Sequence, residues 1–174
     1  MSFAFGHLIF AWLIGKSKEK ISKIKLEKYG WFLLLFGAIF PDIDFLLDWT
    51  LGTHLHRTFT HSLFMIIISF IIVYLICSIF FKNSNKKRLA GLFAIGISSH
   101  LILDMIFGYP GISLLWPMNY KLWFLGILHG YTAVNFSEIT KEHLLNKVRL
   151  AIFDMGLGVL WIGYLFFKNK IKEF

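Results

Sequence analysis

Seven residues able to hold a metal ion recur along this chain in short motifs: His7, then PDID (41–44), then HRTFTHS (56–62), then HLILD (100–104). PDID sets Asp42 and Asp44 two residues apart behind a proline, so both carboxylates can turn toward one ion, or one can bind while the other orients a histidine. HRTFTHS supplies His56 and His61 with Arg57 between them. HLILD sets His100 and Asp104 at i, i+4, which projects both from one helical face. A catalytic zinc uses about three protein ligands and keeps a position open, and paired metals lie about 3.5–4 Å apart. His7, Asp42, Asp44, His56, His61, His100 and Asp104 are enough for one or two ions. A mixed His/Asp set suits Zn²⁺, with Mn²⁺ or Fe²⁺ as alternatives, better than Ca²⁺ or Mg²⁺. Each motif also has a structural reading: an Asp helix cap, a His/Arg belt reaching for lipid headgroups, a His–Asp bond between helices.

The elements that must carry these residues are membrane-like. The chain has 174 residues, 57% of them hydrophobic and 20 of them Phe, with a mean hydropathy of +0.67. Leu63–Phe81, Leu89–Phe107 and Leu150–Phe167 are apolar and approach or match the ~20 residues needed to cross a bilayer. Tyr29–Trp49 is as long but holds Pro41, Asp42, Asp44 and Asp48, and a shorter apolar stretch, Phe3–Ile14, opens the chain. The expectation is an all-α polytopic bundle of four to five membrane helices in a single domain over 1–174, with an outer loop region of about 108–149. Cys77, the single cysteine, reads as packing. The apolar opening lacks a basic region before it, which favours an uncleaved first helix over a signal peptide.

Behind the net charge of +8, 13 of the 18 Lys and Arg residues fall in two short loops, Lys16–Lys28 and Lys82–Arg88, and a tail, Lys168–Lys172. They flank the apolar spans, so they read as a topology signal and not as a nucleic-acid surface. With all three in the cytoplasm, the helices alternate without forcing. His7 then lies about 9 Å from the outer end of its helix, and His100 and Asp104 about 17 and 23 Å up theirs from the inside. Asp42 and Asp44 follow twelve residues of the second span, about 18 Å from its inner end. His56 and His61 open the third span from outside. The ionisable residues therefore converge on one layer toward the outer face, and groups costing roughly 2.5–3.5 kcal/mol each at membrane depth imply a shared polar cavity. Pro41 should break the second span near Phe40, and Thr58 or Thr60 should cap the helix after HRTFTHS. Asp154 needs a partner at its depth, whereas His54, His129, Glu138 and His143 read as solvent-facing.

Taken in order, an early His, PDID, HRTFTHS, SHLILD and a GYPGISLLWP segment resemble the YdjM-like family of inner-membrane metal-dependent hydrolases, over roughly residues 1–120. The resemblance implies a metal-bound membrane hydrolase using His7, Asp42, Asp44, His56, Arg57, His61, His100 and Asp104. A more distant likeness is to the zinc-dependent phospholipase C and single-strand nuclease superfamily; this chain departs from it in having one His-x-x-x-Asp pair and membrane-length helices.

The functional expectation is hydrolysis of a phosphoester in a membrane lipid or lipid-linked substrate at the cytoplasmic membrane, with the site on the extracytoplasmic side. Metal-activated water would attack, with Asp42, Asp44 and His61 in the catalytic set. Arg57, whose planar cation matches a phosphate oxygen pair, would hold the substrate. Trp116, Tyr120 and Trp123 would sit at the interface and help admit a lipid. The alternatives are lipid amide hydrolysis, in which Arg57 matters less, and a non-enzymatic divalent-metal carrier.

Overall fold

A computed structural model describes residues 4–52, 56–81, 84–107, 111–125 and 141–174. The described residues are built from helices: α1 (Ala4–Ser22), α2 (Lys28–Ile39), a 3₁₀ turn (Phe40–Ile43), α3 (Asp44–Leu51), α4 (Leu63–Phe80), α5 (Lys86–Phe107) and α6 (Lys141–Phe167), with a last 3₁₀ turn at Ile171–Glu173. Among the described residues, four stretches are long and apolar enough to cross a membrane: Lys28–Leu51, Leu63–Phe80, Lys86–Phe107 and Val148–Phe167.

α5 is the centre. Leu89, Leu92, Phe93, Gly96, Ile97, His100, Leu101 and Asp104 form a buried stripe at helical spacing, widened by the buried Ala90 and Ser99. The stripe changes from apolar to ligand-type in the last two turns without leaving its face. α2 and α4 both pack on α5, and α1 packs on α2, α5 and α6. The α2–α5 crossing depends on two glycines. A Cβ at Gly37 would lie 2.4 Å from the Phe93 carbonyl oxygen, and one at Gly96 would lie 2.3 Å from that of Leu34. Such small residues let backbones meet in a membrane, where burial of apolar surface drives little helix association.

The expected break at Pro41 is present. α2 ends at Ile39, the chain tightens into the 3₁₀ turn, and α3 leaves from Asp44. Proline ends the α2 ladder because it has no N–H to donate, so the last carbonyls of α2 need partners elsewhere.

Three expectations are corrected. The basic segment Lys16–Lys28 is not one loop: α1 continues through Ser22, with Lys16 and Glu19 paired one turn apart on it. The cap of α4 is Ser62, whose side chain accepts from the Met65 N–H at 3.2 Å; Thr60 is drawn to Asp44 instead. The region 108–149 is not all loop, since α6 begins at Lys141 and residues 111–125 fold back onto the helices. In that segment Ile112 and Trp123 exchange backbone bonds of 3.1 and 2.8 Å, the Leu114 carbonyl accepts from Leu63 N–H at 2.9 Å, and Leu125 N–H donates to Met105 at 2.8 Å.

The alternation of helices sorts the chain ends. His7 is in the first turn of α1, PDID follows α2, His61 precedes α4, and His100 and Asp104 close α5, all at one end of the bundle. The basic connections sit at the other. There the Arg88 guanidinium donates to the Lys25 carbonyl at 2.9 Å, Lys16 pairs with Glu173, and Trp31 meets Phe174 edge-on.

Candidate metal centre

The sequence places the motifs on separate elements, and the fold closes them on one point. His61 and His100 are fully buried and face each other through Nε2 at 3.2 Å. Asp104 Oδ2 lies 3.5 Å from the first of these nitrogens and 3.7 Å from the second. Asp42 Oδ1 lies 3.7 and 3.5 Å from the same two atoms. The four donors thus form two triangles on a shared His61–His100 edge. Donors bound about 2.0–2.2 Å from a tetrahedral zinc stand about 3.3–3.6 Å apart, so each triangle has the span one ion requires. His7 with Asp42 and His100, and His56 with Asp42 and His61, make two further groups whose donor atoms lie within 4.8 Å of one another.

Second contacts fix which nitrogen faces the centre. The Ala38 carbonyl, near the broken end of α2, accepts from His100 Nδ1 at 2.7 Å, which leaves Nε2 with its lone pair turned inward. Thr60 donates its hydroxyl proton to Asp44 Oδ2 and accepts from His61 Nδ1 at 2.9 Å. Asp44 Oδ1 accepts from His56 Nδ1 at 2.8 Å. Asp44 therefore stands behind two histidines, bonded to the outer nitrogen of His56 directly and to that of His61 through Thr60, as carboxylates behind metal-binding imidazoles do. His56 Nε2 is buried and has no hydrogen-bond partner among the described residues. A buried polar atom left so costs about 1–3 kcal/mol unless something binds it, and His56 belongs to the group formed with Asp42 and His61. By donor type, spacing and this atom, the residues fit a divalent cation.

Electrostatics agree. Burial opposes a charge on His61, in the loop ahead of α4, but the carboxylates of Asp104, Asp42 and Asp44 outweigh it and push its pKa up to about 10. The cluster holds positive charge there even as a proton. His7 Nε2 lies 3.6 Å from Asp104 Oδ1, and its ring stacks on His100 at 3.8 Å between centroids.

Arg57 is buried, takes a left-handed backbone (φ 68°), and brings Nη2 to 4.0 Å from Asp104 Oδ2. That backbone is rare for a residue with a side chain. It is held from the folded-back segment, where the buried Ser113 donates its N–H to the Arg57 carbonyl at 3.1 Å. Among the donors Asp42 is the open one, with 30% of its side chain exposed against 4% or less for His61, His100 and Asp104. The cluster reaches its surroundings through Asp42.

Asp154 lies outside the cluster. It accepts from the backbone N–H groups of Phe5 (3.1 Å) and Gly6 (2.7 Å), capping α1 from α6 one residue before His7. Sequence reading offered Thr60 only as a helix cap, and it missed the roles of Ser113 and of the Asp48 carboxylate, which accepts from His56 N–H at 3.0 Å. An Asp one turn beyond PDID and a Thr beside His61 were available signals; the Ser113 contact, made by backbone, left none. His54, His129 and Glu138 lie outside the described residues, as does the His143 side chain.

Comparison with curated proteins and with solved structures returns no match. The family model for the YdjM inner membrane protein matches residues 1–171. With that match over nearly its whole length, the chain belongs to the YdjM inner membrane protein family.

Proposed function

We propose that this protein is a metal-dependent hydrolase that cleaves a phosphoester of a membrane lipid or lipid-linked substrate. The observation that carries the reading is the pair of three-donor triangles on the His61–His100 edge, with Asp42 its partly exposed member. His61, His100, Asp42 and Asp104 would hold the cation, with His7 and His56 at the flanks if a second is bound. Zinc suits this donor set, and Mn²⁺ or Fe²⁺ are the alternatives. When bound, such an ion supplies a Lewis acid for a phosphoryl oxygen and makes water nucleophilic near neutral pH.

The chain's own residues divide the remaining work. Asp44, through His56 and Thr60, keeps the imidazoles in the ligating tautomer. Asp42, the partly exposed carboxylate, is placed to take a proton from attacking water. Arg57 offers a planar cation beside the cluster for an anionic oxygen. The basic segments at the opposite end of the bundle support an extracytoplasmic site, because Lys- and Arg-rich connections stay in the cytoplasm.

The test is metal analysis of the purified protein followed by hydrolysis of a panel of membrane lipids. The expected result is near-stoichiometric metal, with both metal and hydrolysis lost in His61→Ala. Normal lipid turnover by a metal-free variant would overturn the reading. A second reading, lipid amide hydrolysis, is favoured by one contact: Arg57 already stands at ion-pair distance from Asp104. Arg57→Lys separates the two, since a loss confined to phosphodiesters supports the first.

A further inference from the structure

We infer that α3 is a flap over the His56 flank of the cluster, latched when His56 takes a cation, and that Asp48 is the positioning residue that fastens it. The inference rests on the metal reading above and not on hydrolysis. Of the eight residues of α3, Asp44 is buried, Asp48 is half-buried and the other six are exposed. Asp44 and Asp48 stand at i, i+4 and so share one face of the helix. That face is the one bonded to the protein. Asp44 accepts from His56 Nδ1 at 2.8 Å and from the Thr60 hydroxyl, and Asp48 accepts from the His56 N–H at 3.0 Å. Phe45 lays its ring against the His56 imidazole, 3.7 Å between centroids. Among the described residues, α3 packs on the 3₁₀ turn it grows from, and no other helix packs broadly against it. A helix this short does not hold itself together. Its bonds to His56 and Thr60 therefore decide whether it stays down.

His56 belongs to both structures. It anchors α3, and it forms a donor group with Asp42 and His61. Because Asp44 holds Nδ1, Nε2 is the nitrogen left for a cation, and it is buried with no hydrogen-bond partner among the described residues. That unmet nitrogen is relieved in one of two ways. A cation can bind it with α3 down, or α3 can lift, carrying Phe45 off the ring and admitting water. Metal and a lifted flap thus compete for the same atom, and a ligand that favours one of two states shifts the balance between them. The position of α3 gives the motion a use. It leaves directly from the turn that carries Asp42, the partly exposed donor, and its Leu46, Leu47, Trp49 and Leu51 are exposed. With the basic connections in the cytoplasm, this end of the bundle meets the outer leaflet, where a Trp such as Trp49 sits well. A lifted α3 opens His56 and Asp42 on that side, and a latched one closes them.

The test follows amide hydrogen exchange along the full chain in nanodiscs, with chelator and with saturating zinc. Zinc should slow exchange over Phe45–Leu51 by about fivefold or more, the lower end of ordinary coupling between sites. Coupling is reciprocal, so a loosened flap must also weaken the metal. Asp48→Ala should speed exchange in α3 under chelator and lower zinc affinity by about fivefold or more. Leu46→Ala, on the exposed face, should leave that affinity unchanged. His56→Ala should erase the zinc response of α3 while zinc still binds through His61, His100 and Asp104. Should His56→Ala not fold, His56→Phe replaces it, keeping a ring against Phe45 without a ligating atom. Zinc bound to wild type with exchange in α3 unchanged overturns the flap and leaves the metal centre standing. So does a zinc response that persists in the His56 variant, or an Asp48→Ala affinity equal to that of wild type. A wild-type protein that takes up no zinc, manganese or iron sinks the metal reading and the flap together.

Discussion

His61 and His100, thirty-nine residues apart, meet through Nε2 at 3.2 Å with neither ring reached by solvent. Two imidazole nitrogens at that distance need a proton or a cation between their lone pairs. The outer nitrogens are already engaged, His100 Nδ1 with the Ala38 carbonyl and His61 Nδ1 with Thr60. The inner pair is left to whatever charge the carboxylates of Asp42 and Asp104 attract.

Proton and metal compete at His61, so pH should act in opposite senses on the two forms of the protein. The His61 pKa is raised from 6.5 to about 10 in the folded metal-free state. A raised folded-state pKa contributes stability that is fully present below the unfolded value and is lost as pH rises through the folded one. The melting temperature of chelated protein should therefore fall between pH 6.5 and about 10. Metal binding must expel that proton, so zinc affinity should rise over the same window, by up to about tenfold per pH unit for each proton released. Thermal unfolding in detergent with and without chelator, together with competition titrations, reads both signs. An affinity independent of pH would show that His61 does not ligate.

The α2–α5 crossing should tolerate no side chain at Gly96. A Cβ there would sit 2.3 Å from a backbone oxygen that cannot rotate away. Overpacking of this kind costs about 1–3 kcal/mol. Because His100 lies one turn further along α5 and bonds to Ala38 across the same contact, Gly96→Ala should also lower bound metal. Gly91→Ala is the control: nothing lies within 4 Å of its Cβ, and the change should be neutral or stabilising by up to about 1 kcal/mol. Melting curves and metal content of the two variants decide; equal behaviour would refute the crossing.

Much of this was legible in the sequence, for reasons that differ by residue. The helices were visible because membrane spans are long and apolar, and the break at Pro41 because proline lacks a donor. His100 and Asp104 were visible because the i, i+4 spacing continues the buried stripe of α5. His61 and Asp42 were legible only through topology, which brings the end of α2 and the start of α4 to one level. The functions of Asp154 and Asp48 were not legible. Each serves a backbone N–H on a distant element, and a backbone amide leaves no mark in a sequence. The extent of α1 was misjudged because its lysines read as loop, though Lys16 and Glu19 pair along the helix.

Removing Asp154 should loosen His7 without touching the other donors. The Asp154 carboxylate accepts two backbone N–H groups at the start of α1, and hydrogen bonds to a charged group contribute about 1.5–3 kcal/mol each. Asp154→Ala should destabilise the protein by a few kcal/mol, and Asp154→Asn, which keeps an acceptor, by less. If the cap also aligns His7, a cobalt-substituted protein should change its visible spectrum in Asp154→Ala as it does in His7→Ala. An unchanged spectrum in a destabilised variant would confine Asp154 to capping.

Asp42 and Asp44 differ by two positions in sequence, and the structure separates their roles. Asp42 Oδ1 stands among the imidazole Nε2 atoms, whereas Asp44 reaches His56 Nδ1 and, through Thr60, the outer side of His61. A first ligand and an orienting carboxylate fail differently. Asp42→Asn should lower the number of ions bound, because an amide oxygen is a weaker donor and Asp42 belongs to three of the four donor groups described above. Asp44→Asn should leave the number of ions unchanged and weaken affinity about 10- to 100-fold, the usual loss when a partner behind a ligating histidine is removed. Metal counted at saturation, alongside a dissociation constant from chelator competition, separates the two outcomes. Equal loss of ions in both variants would make Asp44 a ligand in its own right and move His56 to the supporting role.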